Sequence, residues 1–110
     1  MSFKISSVEE YFETLEKRFV ESGAKGVKAV YQYELGDAGT YHVKVENGGM
    51  ELVEGAHEKP TTTIIIGAED FVGMTNGDLS GPMLHAKRKM KVKGSIPMAM
   101  KMKKIFPPAG

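Results

Sequence analysis

Residues 27–55 read VKAVYQYELGDAGTYHVKVENGGMELVEG, and their alternation decides the fold. Successive side chains of an extended chain point to opposite faces. Ala29, Tyr31, Tyr33 and Leu35 therefore share one side of Val27–Leu35, opposite Lys28, Val30, Gln32 and Glu34. After the turn Gly36-Asp37-Ala38-Gly39, the pattern repeats over Thr40–Glu46, with Tyr41, Val43 and Val45 facing one way and Thr40, His42, Lys44 and Glu46 the other. Asn47-Gly48-Gly49 is a hairpin signal, since asparagine and glycine accept the positive φ angles such turns demand. Met50–Gly55 returns as a third strand.

Downstream of Pro60, Thr61–Ile66 is β-branched throughout and reads as a fourth strand. Its unbroken Ile64-Ile65-Ile66 does not alternate, which predicts a central strand covered on both faces. The period then turns helical. Phe71 and Met74 stack on a short helix that opens with Glu69 and Asp70 and stops at Asn76-Gly77. Pro82–Ala86 is expected to add another helical turn. Lys89–Lys93 alternates again as a fifth strand, with Met90 and Val92 opposite the lysines. Pro97 suits the first position of a last helix, lined by Met98, Met102 and Ile105 with Lys101, Lys103 and Lys104 mostly elsewhere, and Pro107-Pro108 ends it.

Upstream, Ser7 and Glu10 have the spacing of a capping box. Val8, Tyr11, Phe12, Leu15 and Phe19 recur at helical spacing, backed by Glu9, Glu13, Glu16 and Lys17, until Gly23 and Gly26 end the segment. The order α-β-β-β-β-α-α-β-α predicts an α+β domain: one twisted, mostly antiparallel five-stranded sheet covered by helices.

A chain of 110 residues accommodates one domain, expected to span 1–110. It holds no cysteine, which excludes disulfides, thiolate catalysis and cysteine-ligated clusters. His42, His57 and His85 lie far apart without ligand spacing, and no serine–histidine arrangement or phosphate-cradling glycine loop is visible. Neither an enzyme nor a metal or other cofactor is expected. No apolar run reaches the ~18 residues of a membrane span, so a soluble, cytoplasmic protein is the expectation.

The net charge of +1 conceals a division. Residues 1–78 hold all 14 acids and seven of the 15 bases; residues 79–110 hold eight bases and no acid. A basic segment can serve nucleic acid, an anionic membrane or its own acidic fold. Nucleic acid is disfavoured, because no aromatic residue lies between Phe71 and Phe106 to stack on bases. Six of the eight methionines fall within 74–102. Methionine is flexible and suits surfaces that accept apolar partners of variable shape, so the cluster reads either as gap-filling in a core or as the wall of an apolar cavity beneath the late helices.

These residues also resemble a known family, the sterol carrier protein type 2 domain. The resemblance runs through Gly26, Tyr31-Gln32-Tyr33, Gly39, Tyr41, Val43 and Val45, then Gly55, Pro60-Thr61-Thr62-Thr63-Ile64, Asp70-Phe71 and Gly77. Its most specific stretch is Lys89-Met90-Lys91-Val92-Lys93-Gly94, leading into Met98-Ala99-Met100-Lys101. The resemblance implies a sheet covered by helices with an apolar tunnel between them, binding a fatty acid, fatty acyl-CoA, phospholipid or sterol-like molecule without catalysis. Carried over by position, the lining would come from Ile64 and Ile66 on the fourth strand and from Phe71 and Met74 on the following helix. Leu79, Met83 and Leu84 would follow, with Met90 and Val92 on the fifth strand and Met98, Met102 and Ile105 closing the tunnel.

The chain departs from the family pattern at Arg88, where glycine is usual, and at His85 and Ala86, where bulkier apolar residues are common. Its last residues, Phe106-Pro107-Pro108-Ala109-Gly110, lack a peroxisomal tripeptide, which leads to the expectation of a free-standing cytoplasmic, prokaryotic version. Expected partners are a lipid or fatty acyl ligand and transient contact with an anionic membrane, with the chain as monomer or homodimer. The competing expectation is an accessory or dimerisation module that presents an apolar substrate to a separate enzyme.

Overall fold

The strands expected within residues 27–55 form as β1 (Ala29–Glu34), β2 (Thr40–Glu46) and β3 (Gly49–Glu54) in the computed structural model, which describes residues 5–106 apart from the Lys103 side chain. β4 (Thr62–Ile66) and β5 (Met90–Gly94) complete a five-stranded sheet in the order β3-β2-β1-β4-β5. β4 pairs parallel with β1, and the other three ladders are antiparallel. Register carries the alternation across every strand: Tyr33 lies between Tyr41 and Ile64, Val43 beside Leu52, and Ile64 beside Val92. One sheet face thus gathers apolar side chains from all five strands, and a slip of one residue would turn them all outward. Asn47 and Gly48, at φ 54 and 75, make the expected primed turn between β2 and β3.

Because β4 runs parallel to β1, the chain leaving β3 returns across the other face of the sheet to reach the start of β4. There the His57 amide donates to Gln32 Oε1 at 2.8 Å, and His42 Nδ1 bonds the Gly55 carbonyl at 2.8 Å. This crossing buries Gln32 and His42, so His42 does not lie on a plain solvated face as the alternation suggested. Ile65 stays half-buried between Glu34 and Lys91. The isoleucine run is therefore fully covered on the face of Ile64 and Ile66 only, although β4 is interior to the sheet.

The N-terminal helix is split into α1 (Val8–Glu13) and α2 (Leu15–Arg18). Thr14 Oγ1 donates to the Glu10 carbonyl at 2.8 Å, a back-bond that competes with regular helix geometry. The Ser7 hydroxyl caps α1 by accepting from the Glu10 amide at 3.1 Å. The Glu10 carboxylate reaches Ser6 Oγ at 2.9 Å rather than closing the box on Ser7. Val8, Tyr11, Phe12 and Leu15 face inward as their spacing requires.

α3 (Ala68–Thr75), α4 (Gly81–Ala86) and α5 (Ile96–Ile105) surround β5 in the sequence. Ser80 and Ser95 cap α4 and α5, so Pro97 occupies the second helical position instead of the first. Asn76 ends α3 and pairs with the Ile5 backbone through two hydrogen bonds of 2.7 Å. Pro107-Pro108, expected to end α5, lies outside the described residues.

The turn from α4 into β5 explains the departure at Arg88. The Lys89 amide bonds the Leu84 carbonyl at 2.8 Å and the Arg88 amide bonds the His85 carbonyl at 3.1 Å, the pairing of a Schellman helix end. Arg88 holds its left-handed position at φ 61, where a Cβ is unfavourable and glycine is the common choice. Arg88→Gly is expected to raise stability by about 1 kcal/mol. Urea unfolding of the two proteins checks this, and a variant no more stable than the parent would contradict it.

Candidate functional site

The helix-covered face of the sheet contains two regions of different character. Under α1 and α3 the packing is aromatic and closed. Phe12 stacks on Tyr41 with centroids 4.2 Å apart, and Phe71 meets Tyr11 edge-on at 4.7 Å and Tyr33 at 5.8 Å. Burial pushes the Tyr11 phenol up, and it holds Tyr33 well above the usual tyrosine range, with the neighbouring Tyr11 phenol adding to the effect. Both rings are therefore neutral near pH 7. Tyr33 Oη finds no hydrogen-bond partner among the described atoms. Arg18 is the only charged side chain buried among the described residues; its guanidinium lies 4.9 Å from the Tyr11 ring centroid and donates to Thr14 Oγ1 at 2.7 Å.

Around β5 the packing is aliphatic, rich in methionine and less complete. Of the residues expected to line a tunnel, Ile64, Ile66, Phe71, Leu84, Met102 and Ile105 are buried in the core. Met74, Leu79, Met90 and Met98 pack against that core but remain half-buried, and Val92 is half-buried beside Ile64. Met83 does not join them. It is 49% exposed on the outer side of α4, while its neighbour Leu84 points inward.

The half-buried residues lie on α3, the α3–α4 connection, β5 and α5. A Cβ placed on Gly81 would stand 3.7 Å from both the Met74 sulfur and the Met90 methyl, so α4 approaches these methionines through a position with no side chain. α5 is tied down across the seam. Tyr31 Oη donates to the Met98 carbonyl at 3.0 Å, Thr62 Oγ1 to the Ser95 carbonyl at 2.6 Å, and the Val20 amide to the Ile105 carbonyl at 2.8 Å. Sequence reasoning missed Tyr31 and Thr62 as the groups that fix α5. The face of Tyr31 was visible in the alternation of its strand, but the partners of Tyr31 and Thr62, 67 and 33 residues away, were not.

Two surface depressions lie elsewhere. One of about 730 Å³ is lined by residues including Glu21, Lys25, Glu46 and Asn47. Another of about 430 Å³ lies on the crossover face near Glu34, Ile65, Arg88 and Lys91. Neither includes the predicted lining apart from Ile66 in the second. Among the described residues no three histidine, aspartate or glutamate side chains converge as metal ligands, and no helix is long and apolar enough to cross a membrane.

Comparison with known proteins places this geometry. Hydroxysteroid dehydrogenase-like protein 2 of Rattus norvegicus is 30% identical over 103 residues, covering 91% of this chain and 20% of the rat protein. The chain spans about a fifth to a quarter of the length of the curated relatives it matches first. The solution structure of sterol carrier protein domain 2 of Helicoverpa armigera superposes with a TM-score of 0.73 at 24% identity, over 94% of this chain and 85% of that one. Sterol carrier protein 2 of Aedes aegypti, in complex with the C16 fatty acid palmitate, gives 0.62 at 16% identity, over 84% and 90%. Residues 12–107 match the SCP-2 sterol transfer family from the first helix to the end of the described chain and beyond, and on that match the chain belongs to this family.

Proposed function

We propose that the chain is a non-catalytic lipid carrier. It holds one acyl chain or similarly shaped apolar molecule in a tunnel that opens where Met74, Leu79, Met90, Val92 and Met98 remain half-buried. That incomplete burial carries the reading: the side chains beneath α1 are buried, while the flexible methionines around β5 stay half-buried. The family match and the palmitate complex of the Aedes relative support a lipid as occupant. At ~0.8 kcal/mol per buried methylene, a sixteen-carbon chain retains several kcal/mol after ordering costs. Native mass spectrometry followed by denaturing extraction is expected to release a lipid of defined mass.

A second reading rests on one observation: the rat relative is a dehydrogenase-like protein in which this chain matches a fifth of the length. Under that reading the domain presents an apolar substrate to a separate enzyme. Protein that is empty on extraction and takes up no fluorescent fatty acid would overturn the carrier and favour the accessory module.

A further inference from the structure

The strongly exposed large apolar side chains among the described residues are Met83 at 49%, Ile96 at 52% and Met100 at 71%. All three fall within residues 79–110, the segment with eight bases and no acid. Ile96 and Met100 are four residues apart on α5 and share a face. Met83 lies on α4, at the other end of β5. Five strand residues at ~3.3 Å each separate the two helices by roughly 16 Å, a span that one flat surface can touch. Lys87, Lys89, Lys101 and Lys104 in the same stretch of chain have exposed side chains, and Arg88, Lys91 and Lys93 are exposed along the β5 edge.

From this coincidence we infer that the α4–β5–α5 edge docks on an anionic lipid bilayer, with the lysines on headgroups and Met83, Ile96 and Met100 entering the interface. Charge selects this occupant over two others. A second copy paired through the same edge would set a segment of eight bases against its equal, and nucleic acid offers nothing to exposed methionines while no aromatic between Phe71 and Phe106 stacks on bases. Arg88 fits the same account: it keeps a charge at a left-handed position where glycine would be more stable. The edge borders the seam proposed as the tunnel opening, but docking does not depend on what the interior holds.

The test is cosedimentation of the whole chain with vesicles of phosphatidylcholine alone or mixed equally with phosphatidylglycerol. Binding to the mixed vesicles only is expected, falling about fivefold for each lysine removed among Lys87, Lys101 and Lys104 and vanishing at ~0.5 M salt. Met100→Glu and Ile96→Glu, both at exposed positions, should abolish it, while Met100→Leu and Lys25→Glu leave it intact. Uptake of a fluorescent fatty acid from solution should be unchanged in Met100→Glu, which separates docking from carriage. Equal binding by Met100→Glu, no binding by the parent, a lipid-free dimer broken by Met100→Glu, or tighter binding to an oligonucleotide than to the mixed vesicles would each overturn the assignment.

Discussion

Met90→Glu is expected to weaken uptake of a fluorescent phospholipid or sterol at least about 30-fold, with the far-UV spectrum unchanged. Met90 stands opposite Ile66 on the covered face of the sheet and is half-buried. Empty, the variant can turn its carboxylate to water through the seam between α4 and β5. Loaded, it must bury that carboxylate against an apolar chain, and an unpaired polar group costs ~2 kcal/mol or more, which is ~30-fold in affinity. A neutral probe keeps repulsion between like charges out of the result. Met90→Leu conserves volume and should bind nearly as the parent does. Met83→Glu should leave loading intact, because its 49% exposed side chain faces away from the seam. Phe71 and Met102 make poorer tests, since at 2% and 9% exposure a carboxylate there attacks the core itself. A folded Met90→Glu protein with the affinity of the parent would remove β5 from the proposed lining.

The strands and their inward faces could be read because period two is a local property of the chain, and the Asn47-Gly48 turn was read from residue types alone. Pairing between distant strands could not be. Nothing local tells β4 to lie parallel to β1, and with that pairing comes the crossing that hides His42 behind Gly55 and His57. The break in the first helix falls at Thr14, whose hydroxyl crowds onto the Glu10 carbonyl that its own amide already bonds. The candidate lining shows the same division. Apolar identity placed Leu84 and Met83 together, but a six-residue helix turns only one of two neighbours inward. Residue type marked β5 and α5 as methionine-rich without showing where packing stops short, because that depends on how closely α4 can approach through Gly81.

Gly94→Ala is expected to cost about 3 kcal/mol and lower Tm by roughly 15 °C. Gly94 ends β5 at φ 86, where an L side chain costs ~1–2 kcal/mol. A Cβ there would also run into the Thr61 backbone carbonyl. That carbonyl accepts from the Ser95 amide at 2.9 Å, and Ser95 caps α5, so the clash cannot be relieved by rotating a side chain. Relief requires the β5–α5 corner to move away from β4, straining the Thr62 and Tyr31 bonds that hold the helix over the core. Gly26→Ala separates the two contributions. Gly26 has φ 76 with nothing within 4 Å of the added carbon, so it should show the conformational cost alone, about 1 kcal/mol. Thermal and urea unfolding of both variants measures the difference. Equal losses at the two positions would mean that the corner yields without resistance, and that α5 is held by its far end at Ile105 and Val20 rather than by its junction with the sheet.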